Sequence, residues 1–211
     1  MLPGLARSCV AGGDSGGLAV GSLGGVSVPA FYAELRELRL ERLLDASASI
    51  VAEVGWDALS MTEVSKRSGV PRQSIYKEVG AKADLGRALV DREVGRFLAK
   101  ASEELAAYPD LERGIPAAVR GVLQLGRANP VLQAVLRPGQ DAGLLALLTV
   151  HPDAVLGQVT EAVTALLGDV ASEAIVDTLV RLTVSHVVQP TVGLDQAVER
   201  IGTAARAFLH G

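Results

Sequence analysis

Cysteine, aromatic residues and a strong charge of either sign are all scarce in this sequence. Of its 211 residues one is a cysteine and 3% are aromatic, and the formal net charge is −4. A single cysteine, Cys9, excludes a disulfide framework and a cysteine-rich zinc site, so a cytoplasmic chain is the default expectation. The shortage of aromatic and alternating β-branched residues argues against an all-β sandwich or barrel. Because the chain is slightly acidic, any nucleic-acid site must be a local basic patch.

Residues 1–33 are predicted to be a disordered, glycine-rich tail. Eight of the 23 glycines lie in residues 1–28, where no helical or strand period is sustained. Glycines and serines make the uncharged run 15–33 too polar for a transmembrane helix, and they interrupt every candidate signal-peptide core. A translation start assigned too far upstream would account for the same composition.

Residues 13–17 (GDSGG) are similar to the nucleophile segment of trypsin-like proteases, but no partner residues accompany them. A nucleophilic serine needs a histidine base, which in that barrel precedes the serine along the chain. The three histidines here are His151, His186 and His210, all far downstream. The chain also lacks metal-ligand spacing, a glycine-rich phosphate loop and a GxSxG elbow. We therefore expect a flexible linker at 13–17, and no enzyme, cofactor or metal site.

Downstream of the tail, the residue pattern changes to that of helices. Alternating charges mixed with apolar residues at three- and four-residue steps predict an amphipathic helix over residues 34–55. Ser60 fits a capping box with the glutamate three positions later, which predicts a second helix over residues 61–68. Gly69 can supply the positive φ of a tight turn, and Pro71 then starts a third short helix.

Two short helices joined at a glycine and braced by a longer one form a helix-turn-helix, which offers its second helix to the DNA major groove. The charges agree with this interpretation, because residues 60–82 carry a net charge of +3 whereas residues 88–211 carry −4. Such segregation is typical of a DNA-binding domain with a companion of different function. The sequence predicts an all-α fold that begins with a three-helix DNA-binding domain at residues 34–83.

The ordered motifs within residues 39–85 resemble the N-terminal domain of TetR-type transcriptional regulators. The matching segments are AEVGWDA at 52–58, SMTEV at 60–64, SGV at 68–70, SIY at 74–76 and GAKADL at 80–85. The resemblance implies a homodimeric repressor that binds a palindromic operator and releases it when a small-molecule effector enters the C-terminal domain. Residues 84–211 would then be a helical ligand-binding and dimerisation domain.

The resemblance also implies a set of DNA contacts. By position they are Ser60, Thr62, Arg72, Gln73, Ser74, Tyr76, Lys77 and Lys82. Tyr76 would contact a phosphate, and Lys82 would grip the DNA backbone at the start of the next helix. Alternatively, Tyr76 could fill the core, Lys82 could be a solvated lysine, and Gln73 and Ser74 could meet only solvent. Trp56 is interpreted as a structural plug between helices.

Three residues depart from the usual pattern of the family. Pro71 replaces a small polar cap, Glu78 adds a negative charge to a helix that faces phosphates, and Val79 stands where the family prefers Phe. Glu78 could weaken DNA binding, accept from a cytosine amino group or point away. Pro71 and Glu78 motivate an alternative function, a small-molecule-binding dimeric helical protein with lost or altered DNA recognition.

Apolar periodicity and proline breaks predict a long helix over residues 84–108 and six more helices. The six cover residues 111–128, 131–136, 143–150, 154–167, 171–188 and 194–209. The last two offer more apolar surface than one chain easily hides, which predicts a two-fold dimer through a four-helix bundle. A pocket lined chiefly by Leu and Val is expected between the long helix and the central helices. The polar residues near the expected pocket are Arg137, Gln140, His151, Gln158 and His186. Each of them is interpreted as a surface, interface or satisfied core group.

Overall fold

The computed structural model describes residues 28–137, 152–168 and 171–210, and these residues form helices joined by short loops. The helices are α1 (Val28–Val54), α2 (Met61–Ser68), α3 (Arg72–Glu78), α4 (Lys82–Ala106), α5 (Leu111–Ala128), α6 (Pro130–Val135), α7 (Pro152–Leu167), α8 (Glu173–Val188) and α9 (Leu194–His210). No strand occurs in these ranges, and the predicted all-α fold class is confirmed. None of their helices is long and apolar enough to cross a membrane. The predicted helix at 143–150, Gln140 and His151 lie outside the described residues.

Prolines begin helices in this fold more often than the sequence indicated. Helix α1 begins at Val28, whereas residues 28–33 were expected to belong to the tail. Pro29 is the second residue of α1, a position where its missing N–H needs no partner. For the same reason Pro130 and Pro152, predicted as breaks between helices, are the first residues of α6 and α7.

The turn between α2 and α3 forms as its local signals predict. Ser60 Oγ accepts a hydrogen bond from the Glu63 N–H (3.2 Å), while the Glu63 carboxylate accepts from Arg67 Nε (3.4 Å), so one half of the predicted capping box forms. Gly69 has φ +70° and donates its N–H to the Ser65 carbonyl (3.0 Å). A residue with a Cβ is strained in this left-handed conformation, which explains the glycine.

The N-terminal core contains residues from the four helices α1, α2, α3 and α4, from the loops between them, and from α6. Its buried residues are Leu43, Leu44, Ile50, Val51, Trp56, Leu59, Met61, Val64, Val70, Ile75, Leu85, Leu89, Val131, Ala134 and Val135. The last three belong to α6, a helix that the sequence assigned to the C-terminal domain. Helix α6 is therefore in direct contact with the helices that hold the helix-turn-helix in place.

A second core joins α5, α8 and α9, and a third joins α7 to α8. The buried residues of the second core are Ile115, Val119, Leu123, Leu179, Ala197, Val198, Ile201 and Ala205. Part of the apolar stripe that predicted a dimer is thus buried within the chain, against α5 and α7. Leu182, Val188 and Phe208 remain exposed on α8 and α9. The apolar excess is smaller than the sequence pattern indicated.

Candidate nucleic-acid interface and effector cavity

Helix α3 has an inward and an outward face. Ile75 is fully buried in the N-terminal core, which fixes the rotation of this short helix. Arg72, Gln73, Tyr76 and Lys77 are exposed, and we call these four residues the recognition face. The second helix of the helix-turn-helix therefore presents two cations, an amide and a phenol to solvent.

Arg72 and Tyr76 contact each other on the recognition face. Arg72 Nη2 donates to the Tyr76 hydroxyl (3.2 Å), and the guanidinium carbon lies 5.6 Å from the centre of the tyrosine ring. The two residues are one helical turn apart, which is the spacing that brings side chains together. Because Tyr76 is 44% exposed, the alternative in which it fills the core is wrong.

Lys82, the first residue of α4, lies against the loop between α1 and α2. Its Nζ donates to the Asp57 carbonyl (3.2 Å) and lies 5.1 Å from the centre of the Trp56 ring. Trp56 is 5% exposed, which confirms that it is a buried plug. No local pattern predicted this cation–π contact, which holds the ammonium group beside the N-terminus of α4.

The other candidate residues lie on the same three-helix unit. Ser60 and Thr62 are exposed at the start of α2, although the Ser60 oxygen already caps that helix. Ser74 is half-buried on α3, and its N–H donates to the Pro71 carbonyl (2.8 Å). All eight residues named from the sequence therefore lie on α2, α3 or the helix ends beside them.

The three unusual residues of the motif have structural explanations. Glu78 Oε1 accepts a hydrogen bond from Arg39 Nη1 of α1 (3.0 Å), and the Glu78 side chain is 11% exposed. The charge of Glu78 is therefore turned away from the recognition face and neutralised by Arg39. Val79 packs against the N-terminal core. Pro71 makes no side-chain cap, but its carbonyl accepts the N–H groups of Ser74 and Ile75. Glu78 therefore no longer argues for lost DNA recognition.

Arg67 is exposed, and its guanidinium is paired with residues of α1. Its Nη1 donates to Glu53 Oε1 (2.7 Å) and to Ser49 Oγ (3.3 Å). The hydrogen bond from Arg67, helped by Ser49, holds the pKa of the Glu53 carboxyl below its usual value. The same bond raises the pKa of Arg67. Apart from Arg67, the basic residues of the predicted patch are Lys66, Arg72, Lys77 and Lys82.

Asp84 caps the start of α4. Its Oδ2 accepts the Ala81 N–H (2.8 Å), and its Oδ1 pairs with Arg87. The backbone bond from Ala81, followed by the bond from Arg87, holds the pKa of Asp84 below its usual value. Gly80 has φ +84°, and a Cβ there would lie 2.6 Å from Asp84 Oδ2, so this cap requires a glycine.

A cavity of about 520 Å³ lies between α4, α5, α6, α7 and α8. Its lining is aliphatic apart from Phe97 and Thr183, in agreement with the expected Leu and Val pocket. Arg137, Gln158 and His186 are absent from the lining formed by the described residues. These three polar candidates therefore do not mark the site.

Two family models match the chain, one in its N-terminal part and one in its C-terminal part. The model described as bacterial regulatory proteins, tetR family, matches residues 43–89. The model described as bacterial tetracyclin repressor, C-terminal domain, matches residues 110–206. The chain belongs to the TetR family of transcriptional regulators.

Individual TetR-family relatives support the same fold. The transcriptional regulator AlkX of Mycobacterium tuberculosis is 27% identical over 124 residues, and the match spans 56% of this chain and 57% of that relative. The TetR family repressor AlkX from Dietzia sp., implicated in biodegradation of n-alkanes, has a crystal structure with a TM-score of 0.67 at 18% identity, over 81% of this chain and 95% of that one. A TetR-family regulator from Streptomyces coelicolor gives a TM-score of 0.55 at 25% identity, over 81% and 97% of the two chains.

The TetR motifs gave no indication of a buried carboxylate on α4. Glu93 is 8% exposed, and its Oε2 accepts from Asn129 Nδ2 (2.6 Å). Its other oxygen accepts from Arg96 Nη1 (3.0 Å). Glu93 continues the stripe of Leu85 and Leu89 at four-residue steps. A charged residue on an apolar stripe is the signal by which the sequence could have indicated it.

Arg92 connects this carboxylate to α1. Its Nη1 donates to Asp45 Oδ1 (2.7 Å), and its Nη2 donates to the Leu44 carbonyl (3.1 Å). A longer contact joins Nη2 to Glu93 Oε1 (3.5 Å). We call Asp45, Arg92, Glu93, Arg96 and Asn129 the α4 polar network, because it joins α1 and the start of α6 through α4.

Proposed function

We propose that this TetR-family chain is a repressor that binds a palindromic operator as a homodimer in the cytoplasm and releases it when a small molecule fills the cavity. Residues 34–83 would be the DNA-binding domain, and residues 84–211 the ligand-binding and dimerisation domain. The recognition face carries the proposal, since it projects from a helix-turn-helix while Glu78 is neutralised by Arg39.

The chemistry of each side chain suggests its role on DNA. Arg72 and Gln73 can form paired hydrogen bonds with base edges in the major groove. Lys77, Tyr76 and Lys82 suit phosphates, which position the protein without selecting sequence. In this proposal the hydroxyl groups of Ser60, Thr62 and Ser74 make further contacts with phosphates.

A salt series of DNA binding tests the proposal. We expect specific binding to the DNA upstream of the gene for this chain, with log affinity falling steeply as log salt concentration rises. Scrambled DNA of the same composition is the control. Absence of any sequence preference at low salt would favour the alternative, a dimeric small-molecule-binding protein without operator recognition.

A homodimer is supported by the apolar residues left on α8 and α9. Leu182 and Phe208 are 38% and 42% exposed. Two such helices from each protomer can form a four-helix bundle around a two-fold axis. The axis would set two recognition faces one DNA turn apart, which matches a palindrome.

Helix α6 is suited to couple the cavity to the DNA-binding helices. Leu132 and Leu136 line the cavity, whereas Val131, Ala134 and Val135 are buried in the N-terminal core. A ligand that displaces the first pair must also shift the other three residues, because Leu132 lies on α6 with them and Leu136 directly follows its last residue. Packed interiors transmit such shifts instead of absorbing them.

The α4 polar network offers a second connection for the same movement. Asn129 caps α6 by accepting the Leu132 N–H (2.9 Å), and its amide donates to Glu93. Arg92, the residue before Glu93 on α4, donates to Asp45 and to the Leu44 carbonyl of α1. We propose that occupancy of the cavity changes the tilt of α4 and so the separation of the two recognition faces.

A further inference from the structure

We propose, resting on the function proposed above, that the effector is an uncharged aliphatic molecule whose polar group, where it has one, is a hydroxyl bound at Thr183. The cavity would select its ligand by the absence of charge and by a single hydrogen-bond acceptor.

The lining excludes charged ligands from the body of the cavity. Of the 23 lining residues in the described part of the chain, 22 are Val, Leu, Ile, Ala or Phe, and Thr183 alone has a polar side chain. Within residues 28–137, 152–168 and 171–210, no residue that lines the cavity carries a charge. An ionised carboxylate or ammonium group placed there would lose its hydration without gaining a partner, which is strongly unfavourable.

The length of the cavity favours a chain over a compact ring system. Its lining on α4 runs from Val94 to Leu105, a rise of about 16 Å. Its lining on α8 runs from Val176 to Val188, a rise of about 18 Å. An elongated cavity with aliphatic walls gives a hydrocarbon chain contact along its whole length.

Thr183 determines which polar group is tolerated. Its hydroxyl donates to the Leu179 carbonyl (2.8 Å), so the proton is already used. The oxygen keeps the capacity to accept one further hydrogen bond. An alcohol can donate to it, whereas an ether or ester oxygen, which only accepts, would be buried without a partner.

Four ligands of equal carbon number test the proposal on the full chain. They are 1-decanol, 1-methoxynonane, decanoate and decylammonium, each measured by displacement of the uncharged fluorophore N-phenyl-1-naphthylamine and by the shift in Tm. We expect 1-decanol to bind, the ether to bind several-fold more weakly, and the two ions to bind at least about tenfold more weakly. Either ion binding as tightly as 1-decanol, or no displacement by any of the four, would overturn the proposal.

Variants of two threonines test the role of the hydroxyl. Thr183→Val keeps the shape of the side chain and removes the acceptor, so it should erase the preference for 1-decanol over the ether. Thr178→Val is the matched control, because its hydroxyl makes the same kind of bond to the Ala174 carbonyl (2.8 Å) at an exposed position. A preference that survives in Thr183→Val contradicts the assignment to Thr183.

Filling the cavity provides a test that does not depend on Thr183. Ala101 lines the cavity on α4, and Ala101→Leu should weaken 1-decanol by about tenfold or more. Ala106→Leu, exposed at the end of the same helix, should leave it unchanged. Equal binding by both variants would place the ligand elsewhere.

Operator binding measured without ligand distinguishes failure of the proposed ligand class from failure of the proposed repressor function. A chain that binds 1-decanol but shows no DNA preference would overturn the repressor and keep the ligand class. A chain that binds its operator but none of the four ligands would overturn the ligand class alone.

Discussion

Two ion pairs and one cation–π contact engage charged side chains of the helix-turn-helix. Glu78 is turned to Arg39, and Arg67 is turned to Glu53. Lys82 lies over the ring of Trp56. Replacing Lys82 would therefore change packing as well as charge, and Lys77, which is exposed on the recognition face, is the cleaner probe of phosphate binding.

Lys77→Ala and Gln73→Ala should have different effects on DNA binding. Loss of a phosphate contact at Lys77 should weaken all sequences about equally and reduce the salt slope by about one. Loss of a base contact at Gln73 should cost about 1–3 kcal/mol on the preferred operator and relax the choice of base there. Fluorescence anisotropy on a panel of single-base operator variants measures both. Identical profiles for the two variants would show that these roles are wrongly divided.

Arg39→Ala should weaken operator binding, because the carboxylate of Glu78 loses the charge that neutralises it. We expect a loss of about fivefold, or about 1 kcal/mol. The double variant Arg39→Ala with Glu78→Gln should recover most of that affinity. If the double variant binds as weakly as Arg39→Ala, Arg39 contacts DNA itself and the ion pair is not the cause.

Helices α4 and α6 are the elements that contact both the cavity and the N-terminal core. Different faces of α6 meet the two regions, and α4 lines the cavity with Val94, Phe97 and Leu98, beside the polar network at Arg92 and Glu93. Effects on regulation, as opposed to binding, are therefore expected from substitutions in these helices.

Glu93→Gln should reduce the influence of 1-decanol on operator affinity while leaving each separate affinity within about threefold. The substitution keeps the shape of the side chain but removes the charge that joins Asn129 to Arg96. Coupling between two sites is typically about 5–150-fold, and we expect it to fall towards one. Glu103→Gln, at an exposed pair with Lys100, is the control. Unchanged coupling in Glu93→Gln would remove the network from the regulatory path.

Asp84→Ala should lower Tm at pH 7, by about 2–4 °C for the loss of a helix cap. The pKa of Asp84 is lowered in the folded state, so its stabilising effect is present above the pKa of the unfolded chain and is lost as pH falls through the folded value. The difference between the wild type and the variant should therefore vanish in acid. Asp91→Ala, at an exposed position within the same helix, is the control and should leave Tm at pH 7 nearly unchanged.

The sequence predicted the elements that depend on local signals. The α2–α3 turn follows from the serine cap at Ser60 and the positive φ of Gly69, which act within a few residues. The partner of Glu78 lies 39 residues away and that of Glu93 lies 36 residues away, and no local pattern encodes such contacts. The DNA-contact candidates follow from their positions in the family motif. Which of the neighbouring charges are neutralised is visible only in the fold.

At the scale of the whole molecule, the proposed function needs two protomers. Phe208→Asp places a charge on the exposed apolar surface of α9 and should convert a dimer to a monomer with weaker operator binding. Sedimentation velocity at several protein concentrations measures the change. Leu166→Asp, on a residue of α7 that is 45% exposed, is the matched control and should stay dimeric. A wild-type chain that sediments as a monomer would contradict the two-fold arrangement.

The aliphatic cavity also has a consequence for the lifetime of the protein in the cell. Side chains around an unfilled cavity lack contacts on one side, so the empty form is less resistant to unfolding than the filled one. Intracellular proteases degrade chains that unfold, and a change of one or two kcal/mol alters abundance several-fold. We therefore expect repressor that has released DNA and holds its effector to outlast empty repressor that is free of DNA. A cell exposed to the effector would then hold a reserve of repressor that can bind the operator again when the effector is exhausted.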